Sequence, residues 1–242
     1  MRVTVTDLVK RAGRSLGLEI SRYRPFAARR AERLRALAIE TVVDVGANTG
    51  QYGQELRHNG YLGRIVSFEP LEEAYRALEL ASASDPLWEC HRFALGATDE
   101  RGELAVAANL ASSSLLSMTE EMRVRIPIVG TEPVSVRRLD GLGLRLKGPL
   151  MLKLDVQGYE ARVLDGCGAI LQHVDQIECE LSLAPLYDSQ AQHSEMVARL
   201  DGLGFEMVDL DPFFYDPADG RVLSFDALFG RRLMSAATAG SP

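Results

Sequence analysis

Four short apolar segments of this chain carry acidic residues at or near the point where the chain turns. Val42-Val43-Asp44-Val45 runs into Gly46-Ala47-Asn48-Thr49-Gly50, and Ile65-Val66-Ser67-Phe68 runs into Glu69-Pro70. Met151-Leu152-Lys153-Leu154 runs into Asp155, and Ile177-Glu178-Cys179-Glu180 carries two carboxylates. A charge at the end of a buried-type strand needs a partner or a job. At the first turn, Gly46 and Gly50 lack a Cβ, so backbone can come close to a ligand. A dinucleotide fingerprint would set glycine at 46, 48 and 51. Asn48 and Gln51 stand at the last two, which speaks against a pyrophosphate. Asp44, read as pointing its carboxylate into the ligand space, suits a cationic ligand better. Glu69 falls 19 residues after Gly50, where an acidic side chain can accept both hydroxyls of a ribose. The plain alternative is a surface Glu before a Pro turn. An apolar strand end at Phe93-Ala94-Leu95-Gly96 could sandwich an adenine ring.

Lys153 and Asp155 bracket Leu154 and share one strand face. Asp155 is the first candidate for a catalytic carboxylate, and Glu180 the second; a purely structural Lys–Asp pair is the competing reading. Glu178 and Glu180 also share a face. Paired carboxylates suit a divalent cation such as Mg²⁺, but no carboxylate triplet or His cluster is visible, so a metal is the less favoured reading. His58, His91, His173 and His193 are scattered; only His91 falls inside a predicted strand.

These residues need elements to hold them. Residues 5–17 and 25–39 read as two helices, the second with Ala27, Ala31, Leu34 and Ala38 on one side. Strands then alternate with helices: strand 41–45, helix 49–59, strand 64–68, helix 71–82, strand 87–93. Residues 94–107 read as a hairpin turning at Asp99-Glu100-Arg101-Gly102, 109–132 as an irregular loop, and 134–139 as an exposed strand. Strand 150–154, helix 159–171, strand 176–181, helix 190–203 and strand 205–210 follow. Residues 211–220 read as a turn-rich loop, 222–229 as a last strand, and 235–242 as a disordered tail. Such alternation predicts an α/β, mostly parallel, doubly wound sheet, with an antiparallel strand near the C-terminus. The expected organisation is a helical extension over 1–40 and one catalytic domain over 41–234.

The charge is divided along the chain. Residues 1–40 hold ten Lys/Arg and four Asp/Glu, and the remainder holds 17 and 30. An acidic domain argues against nucleic acid as a partner. The basic N-terminal arm could make weak peripheral contact with an anionic membrane; a solvated helix face is the plainer reading. The three cysteines form no C-x-x-C pair, which suits free thiols in a reducing compartment. With no membrane-length apolar run and no signal-peptide block, the expected location is cytoplasmic.

Taken together, VVDVGANTGQYGQELR, GRIVSFEP, the FALG turn, the Ser112-Ser113-Ser114-Leu115 loop, LKLDVQGYEARVLDG, ECELSLAPLY and LGFEMVDL with FDALFGRR resemble the FkbM family of S-adenosylmethionine-dependent methyltransferases. The resemblance spans roughly residues 40–231. Gln157 stands where the family usually has Glu, and Tyr159 where it often has Ala. The resemblance implies a Rossmann-like seven-stranded sheet and S-adenosyl-L-methionine as cofactor. It implies cofactor contacts at Asp44, Gly46, Asn48, Gly50, Glu69, Ala94 and Leu95, with Ser113 and Asp155 near the methionine end. The implied reaction is O-methylation of a sugar, glycolipid or polyketide-type metabolite. Two rivals remain: a non-catalytic nucleotide- or metabolite-binding module, and an NAD(P)-dependent oxidoreductase. The residues leave the acceptor and the oligomeric state open.

Overall fold

Thr41–Val45 (β1) and Leu150–Leu154 (β7) are buried at every position, because both faces of the sheet they occupy are covered. Central parallel strands read as continuous apolar runs for this reason. The computed structural model describes residues 5–18, 23–146 and 148–232. The remaining strands are Arg64–Phe68 (β2), Trp88–His91 (β3), Ala94–Leu95 (β4), Glu100–Ala107 (β5), Ile128–Arg137 (β6), Val174–Ser182 (β8), Phe205–Tyr215 (β9) and Val222–Arg231 (β10). The helices are Val5–Ser15 (α1), Phe26–Ala36 (α2), Gln51–His58 (α3), Glu72–Ser82 (α4), Glu120–Arg125 (α5), Glu160–Cys167 (α6) and His193–Gly202 (α7).

Seven strands form the main sheet in the order β3-β2-β1-β7-β8-β10-β9. All pairs are parallel except those of β10, which runs antiparallel to β8 and β9. This is the expected doubly wound α/β sheet with its antiparallel end. One face packs Val42, Ile65, Met151 and Leu228 under Phe26 and Leu34 of α2, Leu56 of α3 and Leu78 of α4. The other packs Val43, Val66, Leu152 and Ile177 under Val163 of α6 and Leu200 of α7. Each such side chain contributes about 1.5–3 kcal/mol on full burial.

Three expectations are corrected. β4 and β5 do not form a hairpin: both pair with β6, β4 in parallel and β5 antiparallel, in a separate sheet of order β4-β6-β5. The local turn signal is outweighed by this longer-range pairing, which lets Leu104 and Val134 pack on Leu71 and Ala74 at the start of α4. The expected loop over 109–132 contains α5 and the first residues of β6. Residues 211–215 are strand rather than loop, since Asp211 to Tyr215 continue the ladder against β10. The tail at 235–242 lies outside the described residues.

Candidate active site

The register of the main sheet lines up the polar residues. Asp44 pairs with Lys153 and with Ser67, and Lys153 pairs with Glu178. Glu180 pairs with Asp226, and Asp226 with Asp211. Side chains two residues apart share a sheet face, so Glu69, Asp155, Glu180, Asp226 and Asp211 form a second row one step closer to the strand mouths. On the α2–α3 side, the strands therefore pass from apolar depth to a carboxylate-rich mouth.

A cavity of about 480 Å³ opens there, within the range of small-molecule sites. Gly46, Asn48, Glu69, Ala94, Leu95, Ser113 and Asp155 all line it. Asp44, Gly50 and Glu180 do not; they stand behind its wall. Asp44 is wholly buried and turned away from the ligand space expected for it. Its Oδ2 accepts a hydrogen bond from Ser67 Oγ at 3.0 Å, and its Oδ1 lies 3.3 Å from Lys153 Nζ. Lys153, in register on the neighbouring strand, draws the carboxylate inward. Ser67 Oγ in turn accepts from Trp88 Nε1 at 3.0 Å. Gly50 starts α3 in the left-handed region at φ 90° and faces Leu78 and Trp88. Gly46, at φ 79°, passes so close to the backbone carbonyl of Asp155 that a Cβ would collide with it.

At the β1–β2 end, Glu69 is 5% exposed. Its two oxygens accept backbone N–H bonds from Asn48 at 2.8 Å and Leu71 at 2.9 Å. Burial nevertheless pushes its carboxyl up to about 7, since two amide donors offset only part of the lost hydration. Each oxygen keeps a second lone pair for a ribose hydroxyl. Asn48 itself holds φ 47°, and its Oδ1 is buried without a hydrogen-bond partner. That orphaned acceptor on the cavity wall needs a donor, and an amino-acid ammonium would supply one. Phe68, Leu71, Ala94, Leu95 and Leu104 supply apolar wall beside it. An apolar wall, a carboxylate with free lone pairs and a lone acceptor together fit S-adenosylmethionine, the cofactor that the resemblance implies.

At the β7–β10 end the carboxylates diverge. Lys153 Nζ touches Asp44, Asp155 at 3.4 Å and the Gly46 carbonyl at 3.1 Å. Burial raises the Asp155 carboxyl, but Lys153 and the Gln157 amide outweigh it and hold the group below the usual carboxylate range. Glu180 goes the other way: burial and the neighbouring Asp155 charge push it well up. The Gln157 amide donates to Asp155 Oδ1 at 2.8 Å and to Glu180 Oε2 at 2.7 Å. Gln157, where the family usually has Glu, thus bridges two carboxyls that a third would repel. Ser114 Oγ donates to the Gln157 carbonyl at 2.7 Å, and the Tyr187 hydroxyl lies 2.8 Å from Gln157 Oε1. Ser113 Oγ accepts from the Ala107 amide at 3.0 Å.

Several lining residues were not expected from the sequence. Asp226 lines the cavity half-buried, and no hydrogen bond reaches its carboxylate among the described residues. Burial, followed by the Glu178 and Asp155 charges, pushes it up to about 7. Glu178 accepts from Arg30 Nη1 at 2.7 Å and from the Tyr52 hydroxyl at 3.0 Å, and the Arg30 guanidinium stacks over Tyr52 at 4.4 Å. Tyr23, Pro25, Phe26 and Arg30 thereby bring the N-terminal extension into the wall. The available signal was an Asp inside the apolar run Leu223-Ser224-Phe225-Asp226-Ala227-Leu228, and a lone Arg on the apolar side of α2. His91 lies outside the cavity, stacked on Phe68 at 5.0 Å. Among the described residues, no group of three or more His, Cys, Asp or Glu is arranged to hold a metal ion.

A doubly wound sheet with one antiparallel strand, and a cavity over the carboxyl ends of its parallel strands, is a methyltransferase architecture. The chain belongs to the FkbM methyltransferase domain family, whose sequence profile matches residues 44–207. No curated protein sequence matches it. Among solved structures it is similar to the magnesium protoporphyrin IX methyltransferase of Synechocystis PCC 6803 with bound SAM, at 10% identity and a TM-score of 0.46, over 96% of this chain and 86% of that one. It is similar to the 23S rRNA methyltransferase ErmE at 14% identity and a TM-score of 0.44, over 87% and 69%. It is similar to TehB from Haemophilus influenzae at 9% identity and a TM-score of 0.45, over 83% of this chain. It spans 60% of the TehB chain.

Proposed function

We propose that the protein is an S-adenosylmethionine-dependent O-methyltransferase acting on a hydroxyl of a small, sugar-like or lipid-linked metabolite. The observation that carries this reading is Asp226: half-buried at the cavity wall, reached by no hydrogen bond among the described residues, and pushed up to about 7 by burial. A hydroxyl must lose its proton as its oxygen is alkylated. A base with a pKa near the working pH is suited to take it. Asp155 and Glu180 are weaker choices. Lys153 keeps Asp155 a poor base, and Glu180 stands behind Gln157, away from the cavity.

S-adenosylmethionine, when bound, supplies a methyl group on a sulfonium whose sulfur leaves as a neutral thioether. Glu69 holds the ribose hydroxyls, Asn48 the amino-acid end, and Ala94 with Leu95 the base. Asp155, kept ionised beside Lys153, gives the sulfonium end a negative wall. Asp226 accepts the proton as the C–O bond forms, so charge and atoms balance. Holding both reactants in line is worth several kcal/mol of barrier, up to about 7–11 kcal/mol in well-oriented cases. The excess of acidic residues beyond residue 40 supports an uncharged or cationic acceptor over a nucleic acid. Three unpaired cysteines support a reducing, cytoplasmic setting.

The test is transfer of an isotopically labelled methyl group to panels of sugars, glycolipids and polyketide alcohols, with the product located by mass spectrometry and NMR. Label on oxygen is the expected result. Label on nitrogen or carbon overturns the hydroxyl assignment. Calorimetric binding of NAD without binding of S-adenosylhomocysteine overturns the donor.

A further inference from the structure

Among its described residues, α1 contributes none to the cavity wall or to the apolar clusters of the core, and only Gly13 is buried. Leu8, Val9 and Leu16 are 56%, 46% and 76% exposed. Leu8, Val9 and Ala12 lie on one side of a helix of 3.6 residues per turn, and Leu16 follows in the turn that ends it. Lys10, Arg11 and Arg14 occupy the opposite side and are exposed as well. An apolar stripe left in water, backed by three cations, matches a helix lying in the interface of an anionic bilayer, with its apolar face at the acyl boundary and its cations among the headgroups. Beyond residue 40 the chain is strongly acidic, with 17 Lys/Arg against 30 Asp/Glu.

We propose that α1 docks the protein on an anionic lipid surface and so brings the cavity to an acceptor carried in that membrane. Residue 18 closes the turn after α1, and Tyr23, 82% exposed, already stands at the cavity rim. Five residue steps span at most about 18 Å when extended, so a docked α1 holds the rim within that reach of the headgroups. The docking is independent of the methyl-transfer reading. Only the statement that the acceptor is lipid-borne rests on it.

The experiment is cosedimentation of the full chain, without cofactor, with phosphatidylcholine vesicles containing either no anionic lipid or about 30% phosphatidylglycerol, at low salt and at ~0.5 M salt. Binding to the anionic vesicles alone, weakened at least about tenfold by the higher salt, is expected. Leu8→Glu with Leu16→Glu should abolish it, and Lys10→Glu with Arg14→Glu should reduce it at least about tenfold. These positions are exposed, so the folded state, checked by circular dichroism, is retained. Equal sedimentation of the Leu8/Leu16 variant and the original protein overturns the proposal. So does failure of the original protein to bind anionic vesicles, including the case where gel filtration shows the stripe closing a dimer instead. Vesicle binding with no methyl transfer to any hydroxyl would leave docking standing and remove the proposed function.

Discussion

Glu180 of β8 and Asp226 of β10 face each other in the antiparallel register of the sheet, yet only Asp226 reaches the cavity. Gln157 lies over Glu180 and donates to it at 2.7 Å, while among the described residues no side chain donates a hydrogen bond to Asp226. This pair of facing carboxylates is thus divided into one member held behind an amide and one on the cavity wall.

Binding of the donor should release a proton. Burial holds the Glu69 carboxyl at about 7, and a ribose that donates two hydroxyls favours its ionised form. Ligand binding therefore lowers that pKa, and protons leave near pH 6–7. Titrations with S-adenosylhomocysteine in two buffers of different ionisation enthalpy should give different heats, and Glu69→Gln should remove the difference. Equal heats in both buffers for the unmodified protein contradict the assignment.

The same elevation affects stability. For Glu69 and Glu160, both near 7 in the folded chain and with ordinary values of 4.5, the folded state holds protons that the unfolded state has lost. Their contribution is present below about 4.5 and declines as pH rises to about 7. Urea unfolding across that window should show a weaker decline in Glu160→Gln than in the unmodified chain. An unchanged slope would count against the shift.

Lys153 neutralises Asp44, which is wholly buried. Lys153→Met leaves that carboxylate without its cation and should cost about 3–5 kcal/mol in denaturant unfolding. Asp44→Asn added to Lys153→Met should recover a large part of the loss. A double variant no more stable than the single one would show that the pair is not the source.

Gln157→Glu would set a third carboxyl against Asp155 and Glu180 and remove the donor that both share. The expected loss is about 1–3 kcal/mol near neutral pH, shrinking as the pH falls and the cluster takes up protons. A loss that does not depend on pH would show that the missing amide donor, rather than repulsion among the carboxylates, is its source.

The central strands were legible because burial on both faces leaves an unbroken apolar run. β1, β2 and β7 have the bounds that their residues imply. The small sheet was not, because Asp99-Glu100-Arg101-Gly102 carries a local turn signal while the pairing partner of β5 lies about thirty residues on. In the site, Glu69 and Asp155 could be found because each ends a strand beside a turn. Asp226 was marked only as a charge inside an apolar run: on an antiparallel strand it enters the mouth from the opposite direction, between Phe225 and Ala227, with no turn beside it. The inward turn of Asp44 depends on Lys153, over a hundred residues away, and on Ser67. Their pairing is set by strand order rather than by any local pattern.

The most direct test of the account is the pH dependence of single-turnover methyl transfer in the unmodified protein and in Asp226→Asn. For the unmodified protein the rate should rise with pH through about 7 and then level, as the base loses its proton. Asp226→Asn should lower the rate at least about a hundredfold and remove that rise, with S-adenosylhomocysteine affinity within about threefold of the original. A variant that keeps more than about a tenth of the rate, with the same rise through pH 7, would contradict the assignment of Asp226 as the base.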